Sequence, residues 1–348
     1  MPDETPDRES APWTRDPRLR AAAWAFAALL LIAAAWWAIA SGRDALATAL
    51  SVGRTRPWLL VLALVLPVAN WLLISGVLWA LTVGRDGPPT PRVPYAEMSA
   101  LVGSAWLLNY LPLRPGLIGR VAYNKRRHGL ALRDTALALG GSIGCAAASI
   151  AALLGSVALA PTLGDAVALL PLAGLVAIPR AASRGGRPAR WAAAFSLRYA
   201  DLLVWAARYA VVFELVGEPL SLGQAGAIAA VGQAAMLVPL VGNGLGVREW
   251  AVAVAGPALP TWAAGAALTR LASLTAELIN RAAEVAVAVP VGLLSMAWLA
   301  RRWPRHEAGA EVAGEGAHAA LNRVHDDSRS RTLPRPQADP SPARSRME

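Results

Sequence analysis

Two stretches of this chain gather proline, glycine and arginine in the same order. The first reads Leu111-Pro112-Leu113-Arg114-Pro115-Gly116-Leu117-Ile118-Gly119-Arg120. The second reads Val238-Pro239-Leu240-Val241-Gly242-Asn243-Gly244-Leu245-Gly246-Val247-Arg248-Glu249. In each, Pro-Leu precedes glycines with an intervening leucine, and an arginine follows eight or nine residues after the proline. Proline breaks a helix, a broken helix end exposes unpaired N–H groups, and glycine lets backbone approach a ligand closely. With a guanidinium beside them, such groups suit an anion, and phosphate in particular through paired hydrogen bonds. The candidate binding residues are therefore Arg114, Gly116 and Arg120 in the first stretch and Gly242, Gly244, Gly246, Arg248 and Glu249 in the second. Glycines in membrane helices also serve close packing, and arginines at helix ends also reach toward the interface. Either motif alone is neutral between the two readings, whereas their recurrence in two halves of one chain favours binding. The spacing does not fit a dinucleotide loop, and no strand precedes Gly242.

A second constellation consists of ionisable groups inside apolar stretches: Arg198, Asp201, Arg208 and Glu214, then Arg270, Glu277, Asn280, Arg281 and Glu284. Charges at membrane depth are costly and either line a cavity or pair across helices. Arg208 lies near the middle of its stretch, and Glu277 and Arg281 stand four apart on one helical face, so Arg208 and Glu277 join the candidate set. Arg198, Arg281 and Glu284 read as span ends near water. No nucleophile has an adjacent histidine and carboxylate, and no acidic metal cluster or Walker-type loop is present. Cys145 is the only cysteine, and His128, His306, His318 and His325 lack ligand spacing. The expectation is a protein that is not an enzyme and uses neither metal nor cofactor.

The elements that must hold these groups are set by composition. The chain has 348 residues, 55% hydrophobic and only 16% charged, which is more apolar material than one soluble core can hide. The apolar residues come in blocks of about 20, the length a helix needs to cross about 30 Å of hydrocarbon. The blocks are continuously apolar rather than alternating, which favours helices over a barrel. The formal net charge of +10 comes from arginines in short loops and in the tail. It reads as orientation by positive loops, not as nucleic-acid binding. The fold class expected is all-α: a polytopic integral membrane helical bundle of about eight spans, with one or two re-entrant or discontinuous helices.

Residues 1–20 read as a polar cytoplasmic segment, 21–300 as the transmembrane domain and 301–348 as a disordered basic tail. Within the domain, residues 21–40 form a signal anchor, and spans follow at 58–83, 134–158, 165–178, 196–216, 262–280 and 282–300. An apolar, Gly-rich stretch covers 222–256, and a single crossing there returns Arg301, Arg302 and Arg305 to the cytoplasm. The most basic loop, with Arg114, Arg120, Lys125, Arg126, Arg127 and Arg133, falls outside the cell if every block crosses. A re-entrant segment at 95–120, broken at Pro112 and Pro115, returns it to the cytoplasm. Both termini are then cytoplasmic, in a bacterial inner membrane.

The two motifs resemble those of the flippase-like membrane family that includes the transmembrane region of lysylphosphatidylglycerol synthase, the multiple peptide resistance factor. The family's first motif, proline followed by Gly-acidic-x-x-Arg, is matched by Pro112, Gly116 and Arg120. The second, Pro-x-Gly-Gly-x-Gly-x-Arg-Glu, is matched by Pro239, Gly244, Gly246, Arg248 and Glu249. The likeness runs from about Trp58 to Ala300 and implies a bundle with re-entrant helices that moves lipids or lipid-linked groups between leaflets. Two features depart from the family: Leu117 stands where an acidic residue is usual, and small residues around Ser142 and Gly144 stand where a Glu-Arg pair is often found. The partners implied are membrane lipids with an anionic headgroup. A non-transporting membrane partner of a separately encoded glycosyl- or aminoacyl-transferase is the alternative.

Overall fold

A computed structural model of the chain describes residue 36 and residues 43–82, 93–110, 115–178, 186–237, 246–258 and 268–302. Among them the chain is all-helical, as its composition requires. The helices are α1 (Arg43–Thr55), α2 (Pro57–Leu81), α3 (Tyr95–Leu108), α4 (Pro115–His128) and α5 (Leu132–Leu163). A 3-10 helix (Asp165–Ala177) follows, then α6 (Arg187–Leu215), α7 (Leu222–Met236), α8 (Val247–Ala258) and α9 (Arg270–Arg302). The chain divides into two units, Met1–Ala300 and Arg301–Glu348. Of the second, only Arg301 and Arg302 at the end of α9 are described. The expected anchor at 21–40 (apart from Trp36) and the rest of the expected tail lie outside the described residues.

The bundle is organised around α2 and α6, which pack side by side and run in opposite directions. Arg56, at the start of α2, pairs with Glu214 near the end of α6. Asn70 bonds to Asp201 midway, and Val77 and Ala80 pack on Ala194 at the other end. Pro67 lies inside α2 without ending it. Tyr199, Leu202, Trp205, Tyr209 and Phe213 of α6 form the main core with Ile228 and Ala229 of α7, Val252 of α8, Leu153 of α5 and Ala276 of α9.

Each of α2 and α6 is followed by a hairpin of two short helices and then by a long helix. In the first hairpin α4 returns along α3: Gly116 abuts Ala105, and Tyr123 donates a hydrogen bond to Glu97. Both legs have 14 residues, about 21 Å each, less than the hydrocarbon thickness. In the second, α7 opens with a capping box, in which Ser221 and Gln224 exchange side-chain and backbone hydrogen bonds. Its far end meets the start of α8 at Met236 and Arg248, while Ile228 meets Val252, so α7 and α8 are also antiparallel. The long helices α5 and α9 close the two halves. Because α2 and α6 are antiparallel, the second half repeats the first in inverted orientation.

Three helices are long and apolar enough to cross a membrane: α2, most of α5 and α9. The expected total of about eight is not reached by that measure. One reason is that the spans expected at 262–280 and 282–300 are not two helices: from Arg270 to Arg302 the chain is one helix of 33 residues. The polar run Glu277, Asn280, Arg281 and Glu284 resembles a loop in sequence, yet it is buried inside the bundle. The Gly-rich stretch 222–256 also differs from a single crossing, since its two helices turn back on each other. The stretch at 165–178 is short for an α-helix, but its 13 residues are wound as a 3-10 helix and reach about 26 Å where an α-helix would reach about 20 Å. Ser196 donates to the Pro171 carbonyl at 2.6 Å and ties this segment to α6.

Packing of α3 on α9 relies on small residues. A Cβ on Gly103 would lie 2.5 Å from Ser295 Oγ, and one on Gly292 would fall inside the Leu107 side chain. Such crossings hold helices together by close contact, which is the available force where the surroundings are as apolar as the interface. Outward faces carry Leu60, Val61, Leu64, Val65, Ile143, Leu154, Leu293 and Leu294, all exposed, as a lipid-facing surface requires.

Candidate functional site

Most of the described site residues converge where α2, α6, α8 and α9 meet the tip of the first hairpin. Arg208, Arg248 and Arg281 lie there with Glu249, Glu277 and Glu284, and none of the six is more than 4% exposed. Three cations and three carboxylates leave the cluster with no net formal charge, the condition under which ions tolerate removal from water.

Each helix contributes by its periodicity. On α9, Glu277, Arg281 and Glu284 fall at intervals of four and three and share one face. On α8, Gly246 has φ 78°, a left-handed conformation that suits glycine, and turns the chain into the helix just before Arg248 and Glu249. Arg248 Nε donates to Glu277 Oε1 at 2.5 Å, and its Nη1 donates to Glu284 Oε2 at 3.0 Å. Arg281 Nε donates to Glu249 Oε1 at 2.8 Å and its Nη1 lies 3.6 Å from Glu284 Oε1. Arg208 Nη2 reaches Glu284 Oε2 at 3.4 Å. The Trp205 ring lies under two of the cations, 3.8 Å from the Arg208 guanidinium carbon and 4.9 Å from that of Arg248, adding cation–π attraction.

Neutral amides extend the network. Arg208 Nε donates to Asn280 Oδ1 at 3.0 Å and its Nη1 to Asn70 Oδ1 at 3.1 Å. Asn70 Nδ2 donates to Asp201 Oδ1 at 2.7 Å. Asp201 in turn pairs with Arg198, whose other nitrogen donates to Gln233 Oε1 at 2.7 Å. From the first hairpin, Tyr110 donates to Glu284 Oε1 at 3.0 Å, and Trp106 Nε1 lies 3.4 Å from the same oxygen. Glu284 is thus the hub: all three arginines and the hairpin tip address one carboxylate.

Of the residues expected from sequence, Arg208, Arg248, Glu249 and Glu277 meet in this network. Gly116 sits in the first hairpin, where a Cβ would lie 2.5 Å from the Ala105 backbone. Arg120, one turn further along α4, is half-buried and makes no bond to the network. Arg114, Gly242 and Gly244, with both motif prolines, lie outside the described residues. The reading of Arg281 and Glu284 as span ends near water is corrected: they are 4% and 1% exposed because partners on other helices neutralise them. Sequence reasoning also missed Asn70, Gln233, Trp205 and Tyr110. The seven-residue step from Glu277 to Glu284 was the signal available for the hub.

A smaller cluster stands at the foot of the first hairpin. Buried Glu97 accepts from Tyr123, and His128 Nε2 lies 3.2 Å and Arg127 Nε 3.9 Å from the same oxygen. These contacts tie α4 to α3 beside the exposed Lys125 and Arg126.

Fold and site together define a helical, membrane-associating bundle with a charge-balanced polar centre. Comparison of the chain with protein-family models, with curated proteins and with solved structures yields no match.

Proposed function

We propose that this chain is a flippase-like integral membrane protein that binds or moves an anionic phospholipid or lipid-linked headgroup. The observation that carries the reading is the pair of short antiparallel hairpins at matching places in two oppositely running halves, each containing one of the two Pro-Gly-Arg sequence stretches. Inverted repeats with discontinuous helices at their interface are a recurring architecture for alternating access to a site near the midplane. The resemblance of the motifs to the flippase-like family points the same way.

In this reading the chain crosses six times, through 21–40, α2, α5, the 3-10 helix, α6 and α9. The first hairpin enters from the cytoplasm and the second from outside. The basic residues Lys125 to Arg127, Arg187 to Arg190, and Arg301 with Arg302 then all face the cytoplasm, as positive loops should. The bacterial inner membrane and cytoplasmic termini belong to this reading.

The test is reconstitution of the full chain in liposomes carrying a fluorescent phosphatidylglycerol analogue, with lipid movement followed by quenching from outside. Faster movement than in protein-free vesicles supports the proposal. No movement, with a transferase co-purifying from the native membrane, favours the scaffold reading instead.

A further inference from the structure

We propose that the two motif arginines do different work, and that Arg120 receives the ligand's phosphate anion while Arg248 holds the bundle together. This rests on the lipid-binding reading above and assigns its site to one half of the repeat.

Arg248 is fully buried and held by Glu277 and Glu284. Its charge is already answered inside the protein, and an incoming anion would meet two carboxylates beside it. Arg120 follows the first Pro-Leu as Arg248 follows the second, but its surroundings are opposite. It is half-buried on the short helix α4, between Gly116, pressed on Ala105, and Tyr123, bonded to Glu97. Among the described residues no carboxylate pairs with it and no acceptor bonds to it, and burial is uncompensated by a nearby charge.

The long helices explain the difference. Counted from the first residue of α9 and of α5, the places of Glu277, Asn280, Arg281 and Glu284 correspond to Leu139, Ser142, Ile143 and Ala146. The first half therefore has the arginine without the carboxylates that neutralise it in the second. A guanidinium in that position lacks an anion, and a phosphate diester or monoester supplies one with matching paired geometry. Space is present as well: a Cβ on the adjoining Gly119 would meet nothing within 4 Å.

The experiment follows thermal unfolding of the purified full-length protein in a neutral detergent during titration with short-chain phosphatidylglycerol, short-chain phosphatidylcholine or inorganic phosphate. Phosphatidylglycerol is expected to raise the unfolding midpoint and phosphatidylcholine to leave it unchanged. Arg120→Gln should unfold at the wild-type temperature without ligand and bind phosphatidylglycerol roughly tenfold to hundredfold more weakly, the loss of charge-assisted bonds. Arg120→Lys, which keeps the charge and loses the fork, should recover part of that affinity and also serves if the glutamine variant does not fold. A response to inorganic phosphate that depends on Arg120 identifies the free anion as a sufficient ligand. Wild-type affinity in Arg120→Gln and in Arg120→Lys, or equal responses to both lipids, overturns the assignment. The liposome assay separates this from the broader reading. Arg120-dependent binding without lipid movement removes the flippase function and keeps the site. Lipid movement unchanged in Arg120→Gln keeps the function and removes the site.

Discussion

Arg208 and Arg248, on different helices, donate to the same oxygen of Glu284, at 3.4 and 3.0 Å, and the Trp205 ring lies within 5 Å of both guanidinium carbons. Two like charges converge because one carboxylate and one aromatic face stand between them. Removing that carboxylate leaves the arginines to repel each other in a buried site.

Glu284→Gln is therefore expected to destabilise the protein by about 3–5 kcal/mol, the range for breaking a buried ion pair from one side. Thermal unfolding in detergent reads this as a large fall in midpoint. Glu284→Asp should lose less, since it keeps the charge. An unchanged midpoint in the glutamine variant would mean that Glu284 is not the hub.

Arg248 and Glu277 should be energetically coupled. Arg248→Met leaves Glu277 without its cation, and Glu277→Gln leaves Arg248 with Glu284 alone and the cluster one carboxylate short, so each single variant loses stability. The double variant should lose less than the two losses combined, by about 0.5–3 kcal/mol. A double-mutant cycle from denaturation midpoints measures the coupling, and additive effects would refute it.

The two glycines of the first hairpin should respond in opposite ways. Gly116→Ala places a methyl group 2.5 Å from the Ala105 backbone and must push α4 from α3, with a cost of about 1–3 kcal/mol or more. Gly119→Ala meets open space, and alanine's helix preference should make it neutral or stabilising by up to about 1 kcal/mol. Comparison of the two unfolding midpoints decides whether the hairpin is packed as described.

Topology is tested with single cysteines placed in a Cys145→Ser background. With a membrane-impermeant maleimide on intact cells, Lys125→Cys and Arg187→Cys should be protected until the membrane is opened. Glu218→Cys, in the turn after α6, should label at once. External labelling at Lys125 would eliminate the re-entrant first hairpin.

Helical class and the turning back of the chain near Pro112 were legible because proline, glycine and loop charge are local signals. The continuity of α9 was not. Glu277, Asn280, Arg281 and Glu284 look like a break to any window of sequence, and what makes them tolerable is Arg208, 72 residues from its partner Asn280, and Glu249, 32 residues from Arg281. Charges of its own, Arg198, Asp201, Arg208 and Glu214, keep α6 below the hydropathy of a spanning helix, although Asp201 and Arg208 are buried in it. The 3-10 winding of Asp165–Ala177 left no local signal beyond a segment too short for its task. The candidate arginines were identifiable by type and spacing, while their different surroundings depend on which long helix carries carboxylates.

The cancellation of three positive by three negative charges at the centre has an electrical consequence. A membrane voltage does work of about 2.3 kcal/mol per elementary charge for each 100 mV, but only on charge that moves. If the two halves rock with this cluster intact, its net displacement through the field is zero, and the motion is electrically silent. An arginine that travels with a phosphate monoanion is equally so. The arginine returns without its phosphate, however, so in the proposed function each full cycle carries the lipid's one negative charge through the field, and net movement of an anionic lipid should respond to voltage through that charge alone.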